Sequence, residues 1–410
     1  MSGLDAVIYD ASEVAAVRSG DGSGGELETI ENGAVAVRDG EIEAVGETDS
    51  VVAEYPPENA ETAIDASGKT VTPGFVDPHT HAVFAGDRSD EFEAKLRGKS
   101  YQAILAEGGG ILRTVRATRE ADDGTLLENL LEHLDVMLAH GSTTVEVKSG
   151  YGLDTETELR MLDVIERADE RHPIDLVATY MGAHAVPGEV SAEEYVEEVI
   201  DEQLPAVESQ GIAEFCDVFC EEGVFDVEQS RRVLEAGIDH GLTPKVHAEE
   251  FVRLGGAALA ADLNATSADH LLHATSEDVR TLNDAGTVPV LLPGTAFGLG
   301  AEYADAQGML EAGAPVALAT DFNPNCYAHS MGHAMTLGCV GMRMTPSEAL
   351  VGATHNAARS IERPNGGRLE AGTPADLCIL DAPSFVHVPY NFGVNRVETV
   401  LKDGEVVHAR

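Results

Sequence analysis

Two kinds of apolar patterning divide the chain. Through its middle, short runs of β-branched and aliphatic residues alternate with stretches whose apolar positions recur every third or fourth residue. The runs at 73–79, 142–148, 174–184, 213–220, 244–248, 266–271, 288–293 and 315–321 read as strands. Thr125-Leu-Leu-Glu128 reads as a capping box that opens LLENLLEHLDVMLAH, with Leu127, Leu131, Leu134 and Leu138 on one face. Thr155 to Glu158 and Ser191 to Glu194 open two further helices in the same way, and Thr345-Pro346-Ser347-Glu348 adds proline in the first turn. Eight strands alternating with helices over about 285 residues suit a (β/α)8 barrel, typically about 250 residues long. A doubly wound open sheet is the alternative.

The ends are patterned differently and resemble each other. GAVAVRDGEIEAVG (33–46) and VETVLKDGEVVH (397–408) each place Asp-Gly between two β-rich runs. Asp-Gly suits a type I′ hairpin turn, which needs positive φ at both central residues. Matching hairpins predict a small β-sandwich domain built from both termini, residues 1–72 and 362–410, flanking a barrel at 73–361.

Composition narrows the class. The chain has 410 residues, 43% of them hydrophobic, enough for a sizeable core. Asp and Glu number 72 against 26 Lys and Arg, a formal charge of −46. The acid is spread along the chain rather than gathered in a tail. That favours a halophilic surface, which holds water and cations at high salt, over an acidic docking surface for a basic partner. Such a surface repels nucleic acid and anionic membranes. No apolar run approaches the roughly 18–20 residues that span a bilayer. The N-terminus, MSGLDAVIYDASE, lacks the basic and apolar regions of a secretory signal. Five cysteines, an odd number, point to reduced thiols in the cytoplasm, and Cys216 and Cys220 to core packing within a strand.

The chemistry sits at the strand ends. In Asp77-Pro78-His79-Thr80-His81, side chains two apart in a strand point the same way, so His79 and His81 can aim at one point. His247, Asp321, His184 and His270 close other strands. Each alone reads more readily as a satisfied buried residue. Together they suggest a metal site, because strand ends of a barrel converge on one mouth and polar side chains are costly to bury unpartnered. Imidazole suits zinc or iron, and such an ion makes hydroxide available near neutral pH, with His270 or Asp321 able to take the proton. Arg88, in the loop leaving the first barrel strand, offers a carboxylate clamp, or else pairs with Asp87 or Asp90.

These residues, with PGFVDPHTH, TPSEALVGATHNAARSI and GGRLEAGTPADLCILD, resemble the amidohydrolase superfamily over nearly the whole chain. HTHAVFAGDR (79–88), EVKSGYGLDTETELRML (146–162), YMGAHAVP (180–187), VHAEEF (246–251) and ATDFNPN (319–325) resemble its imidazolonepropionase family. The resemblance implies one divalent zinc or iron ion held by His79, His81, His247 and Asp321, and a homodimer. It implies hydrolysis of 4-imidazolone-5-propanoate to N-formimidoyl-L-glutamate, in histidine breakdown. Glu250 would donate a proton to the departing amide, or else be a solvated surface acid. His184 would polarise the ring carbonyl or hold the substrate, and Arg88 and Tyr151 would grip the propionate. Asn323, Asn325 and Cys326 would contact product; Asn325 and Cys326 stand where the family has glycine and then serine or threonine. Many relatives bridge two metals with a lysine on the fourth strand. AEFCDVFC has none, while Lys148 lies on the second. The rival readings are base deamination, hydantoin opening and a non-catalytic scaffold.

Overall fold

All eight central runs form strands of one parallel sheet in a computed structural model that describes residues 3–20, 24–99, 103–104, 107–188 and 190–410. The first two residues of the acidic N-terminal stretch lie outside these. In chain order the barrel strands are β6 (Phe75–Asp77), β7 (Ser142–Lys148), β8 (Asp175–Ala183), β9 (Phe215–Cys220), β10 (Thr243–Ala248), β11 (Ser267–His270), β12 (Val288–Leu291) and β13 (Ala317–Leu318). Each pairs with the next, and a parallel bridge between Thr80 and Phe322 joins first to last. His81 N–H donates to the Phe322 carbonyl (2.8 Å) and Asp321 N–H to that of His79 (3.2 Å), which closes the barrel beside the histidine motif. All seven residues of β7 are buried, as expected for a parallel strand covered on both faces.

Two helix starts differ from the reading by capping box. The first helix spans Asp123–Ala139 with Asp122 as its cap, and Thr125 supplies the N–H that Asp122 accepts. Its buried stripe accordingly runs through Leu126, Leu130, Leu134 and Met137, and Leu131 is only half-buried. The helix Thr155–Asp169 is likewise capped by Asp154, not Thr155. In both, a preceding aspartate accepts from the N3 amide and displaces the threonine. Ser191 and Thr345 do form capping boxes with Glu194 and Glu348.

The termini share a second sheet. Its strands are β1 (Leu4–Ser19), β2 (Gly25–Arg38), β3 (Glu41–Glu47), β4 (Ala60–Asp65), β5 (Thr70–Pro73), β14 (Leu377–Leu380), β15 (Val397–Lys402) and β16 (Glu405–Ala409). They run β16-β15-β14-β5-β1-β2-β3, with β4 beside the start of β1. Both Asp-Gly turns have left-handed backbones, at φ 53° and 77° for Asp39 and Gly40 and 48° and 81° for Asp403 and Gly404. The sheet folds over so that its ends share one core. Ile8, Val35 and Ile42 meet Val71, Leu377 and Leu401 there. A side chain at Gly404 would lie 2.6 Å from Val37, so the second turn must be glycine to close that core. Cys216 and Cys220 are free and buried in β9.

Candidate metal centre at the barrel mouth

His79 and His81 leave β6, His247 lies in β10, His270 ends β11 and Asp321 follows β13. The seam residue Asp77 accepts from Thr320 N–H (3.1 Å) and hydroxyl (2.6 Å), so the acid of the histidine motif is structural. His79 is the centre of the group. Its ring lies 4.5 Å from that of His247, 5.3 Å from His81 and 5.4 Å from His270. Two triads share it: His79, His81 and Asp321, and His79, His247 and His270, with ligand atoms within 4.8 Å of one another in each. All four expected ligands thus converge, and His270 stands among them. His270 and Asp321 adopt left-handed backbones, φ 76° and 51°, a strain that costs about 1–3 kcal/mol and gathers at functional sites.

These residues fit a cation. His79 Nε2 and His247 Nε2 are buried without a hydrogen-bond partner, a costly state that a bound metal ion would relieve. His79 Nδ1–H donates to Asp269 (2.6 Å), which fixes the tautomer that leaves the Nε2 lone pair free. His247 Nδ1 stands 3.0 Å from Asp217. Lys148 bonds Asp217 (2.8 Å) and Glu146 (2.9 Å) and lies 3.9 Å from Asp269. Burial opposes the Lys148 ammonium, but Asp217, Glu146 and Asp269 keep its pKa above the ordinary lysine range. Burial pushes His79, His81 and His270 well below the usual histidine range, so they are neutral, as ligands must be. Burial lifts Asp321 to about 6 against the hydroxyl of Thr295, which it accepts. Asp217, Asp269 and Thr295 were passed over in the sequence. The available signal was an acid inside each of two aliphatic strands.

The outer residues divide. His184 stacks on His81 (4.7 Å, 15°), and burial lowers it to about 3. Its Nδ1–H donates to the Gly150 carbonyl (3.0 Å), so neutral Nε2 is an acceptor. That leaves it unsuited to polarise a carbonyl oxygen. Tyr151 is buried, 5.3 Å from the His184 ring and 5.9 Å from that of His81. Glu250 is buried rather than solvated, 3.6 Å from His270 Nε2. Burial, with the Asp321 and Glu221 charges, raises its pKa well above the carboxylate range, so it holds a proton.

Arg88 is buried, and its Nε donates to Glu91 (2.9 Å), not to Asp87 or Asp90. Asp90 is taken by Arg113, and Asp87 accepts from Ser89. Asn323 braces its own loop: its amide donates to the Asp321 carbonyl (2.8 Å) and its oxygen accepts from Asn325 N–H (2.7 Å) and Cys326 N–H (3.0 Å). Asn325 is exposed and accepts from Lys95 Nζ (2.7 Å), and Cys326 is buried with Sγ 3.7 Å from the Thr320 carbonyl. Asn325 is thus engaged with Lys95, while Cys326 lies by Thr320 and Thr295 in the field of Asp321.

A parallel barrel with imidazoles and a carboxylate at one mouth defines a class, and residues 70–407 match the model of the amidohydrolase family, to which the chain belongs. Residues 33–57 match an imidazolonepropionase-like composite domain of bacteria. An imidazolonepropionase of Haloarcula marismortui is 66% identical over 99% of this chain and 97% of that protein. One from Halobacterium salinarum is 63% identical (99% and 98%), and one from Geobacillus kaustophilus 51% identical (93% and 91%). Within the family, the chain therefore stands with the imidazolonepropionases. Its acidic composition agrees with its halophilic relatives. Two solved structures share the fold: an adenosine deaminase from Xanthomonas campestris with bound zinc (TM-score 0.73, 17% identical, covering 98% of this chain and 92% of that one) and an A. niger ochratoxinase (0.72, 18%, 100% and 96%). Among the described residues no helix is long and apolar enough to cross a membrane.

Proposed function

We propose that the chain hydrolyses the cyclic amide C–N bond of 4-imidazolone-5-propanoate, giving N-formimidoyl-L-glutamate. The observation that carries this reading is the meeting of His79, His81, His247 and Asp321 at one mouth in a chain 66% identical to an imidazolonepropionase. We assign these four as ligands of a single zinc or iron ion. Such an ion supplies Lewis acidity and makes hydroxide available near neutral pH. One ion rather than two is supported by Lys148, locked among three carboxylates, and by the absence of lysine from β9.

The chain's own groups supply the rest. His270 or Asp321 takes the proton from water. Glu250, protonated in its buried pocket, gives a proton to the departing ring nitrogen. His184 Nε2 accepts a ring N–H, and Arg88 and Tyr151 take the propionate. Asn323 holds the loop that follows Asp321. The same reading assigns the enzyme to the cytoplasm as a homodimer. Base deamination is disfavoured because an uncharged base offers the Arg88 guanidinium no anion beyond Glu91.

The test is a spectrophotometric assay on freshly made imidazolone propionate in high salt, with metal analysis of the same sample. Activity with about one equivalent of zinc or iron is expected. Arg88→Ala should raise KM about 10–100-fold, the usual worth of a charged hydrogen bond. Unchanged kinetics in that variant would remove the propionate assignment.

A further inference from the structure

Glu158 fits a capping box by sequence, yet its carboxylate turns away from that duty. It is fully buried and accepts three amides of the loop that carries Tyr151: Gly150 N–H (2.9 Å) on Oε2, and Gly152 N–H (2.7 Å) and Leu153 N–H (2.8 Å) on Oε1. Among the described residues it makes no ion pair. Arg119 holds the same loop from the carbonyl side, donating to Gly152 (2.6 Å) and Leu153 (3.0 Å). The backbone is shaped around these contacts. Gly150 has φ +100°, and a side chain there would lie 2.9 Å from His184 Nδ1; one at Gly152 would lie 2.8 Å from the Glu158 carboxylate. Leu153 takes a left-handed backbone, φ 54°.

The residue whose amide Glu158 holds on Oε2 is the one whose carbonyl accepts His184 Nδ1–H. The path from the carboxylate thus runs through Gly150 to the ring stacked on His81. We propose that Glu158 is the positioning residue for the substrate side of the mouth, setting Tyr151 through the amides of Gly150 and Gly152 on either side of it and His184 through Gly150. This rests on the reading of His184 and Tyr151 as substrate contacts. A buried carboxylate with no cation must be met by hydrogen bonds, and three amides of one loop meet it here. The charge therefore fixes the loop in one geometry. His79 and His247 lie outside this network, with Asp269 and Asp217 beside their Nδ1 atoms instead.

Glu158→Gln tests the link. Glutamine keeps one acceptor oxygen but places an amide nitrogen, which cannot accept, against one set of N–H groups. KM for imidazolone propionate should rise about tenfold, with kcat within about threefold and metal content unchanged, a split that a loss of general integrity does not give. Arg119→Met loosens the loop from its half-exposed carbonyl side and should move KM in the same direction; it decides the matter should the glutamine variant not fold. Wild-type KM in the folded variants, or kcat and metal content falling as KM rises, would overturn the positioning role. A wild-type enzyme inactive on the imidazolone would instead remove the parent reading.

Discussion

The insides of the two sheets are unlike. The terminal sheet encloses aliphatic side chains such as Ile8, Val35, Val71, Leu377, Ile379 and Leu401. The barrel buries Asp77, Glu146, Lys148, Asp217, Lys245 and Asp269 beneath its histidines. Both are strands with β-branched patterning, so strand propensity does not explain the contrast. Each buried ion carries a desolvation penalty of several kcal/mol, which mutual pairing only partly offsets. The terminal sheet buries a pair as well, Lys402 with Asp376 (3.1 Å), but beside its aliphatic cluster and not within it. In the barrel the charges pair at depth, as Lys148 does with Glu146 and Asp217, while unpartnered nitrogens appear on His79 and His247 at the mouth. The paired layer orients the open one.

That contrast can be broken by mutation. The largest effect is expected for His247→Ala, which should lose the metal and at least about 10³-fold in kcat/KM without unfolding the chain. Metal analysis beside the assay decides it, and retained activity would move the centre elsewhere. Next is a matched pair. Lys148→Met removes the cation shared by Glu146, Asp217 and Asp269, with Glu146 keeping Lys245 (3.2 Å). It should cost about 3–5 kcal/mol of stability, with weaker metal binding, because Asp217 and Asp269 lie against His247 and His79. Leu377→Ala opens a cavity in the terminal core and should cost about 2–5 kcal/mol, with kcat/KM unchanged while folded. Urea melts and chelator competition separate the two, and equal loss of metal affinity would erase the distinction.

The smallest effect lies on the outer shell. Arg253 and the Thr275 cap hold Asp278 down to about 2. Its folded pKa lies below its unfolded one, near 3.9. Its contribution is therefore present above about pH 4 and lost as pH falls toward about 2. The urea midpoints of wild type and Asp278→Asn should draw together over that interval. A constant gap would deny the linkage.

Much of this was legible before any coordinates. The eight barrel strands and both Asp-Gly turns appear where period and turn chemistry put them, because those signals act within a few residues. The gathering of the strand-end histidines and Asp321 was legible for a related reason: once a barrel is granted, its strand ends converge. Helix starts at Asp122 and Asp154 were misread because a threonine in the first turn, Thr125 at N3 or Thr155 at N1, mimics a capping box when an aspartate precedes it. Asp217 and Asp269 were passed over, and Glu158 was read as a capping-box partner, because 72 acids conceal the few that are buried. Asn325 was read as a product contact, and in the fold its side chain accepts from Lys95 Nζ, a partner far along the chain that no local pattern encodes.

The order of residues alone determined the class of fold, the closing turns and the roster of groups able to hold a cation, since each depends on local backbone preference or side-chain identity. Only folding in three dimensions decided their charge states and partners: neutral histidines, a protonated Glu250, and Lys148 fixed between Glu146 and Asp217. Those outcomes depend on exclusion of water and on neighbours distant along the chain, which no local pattern encodes.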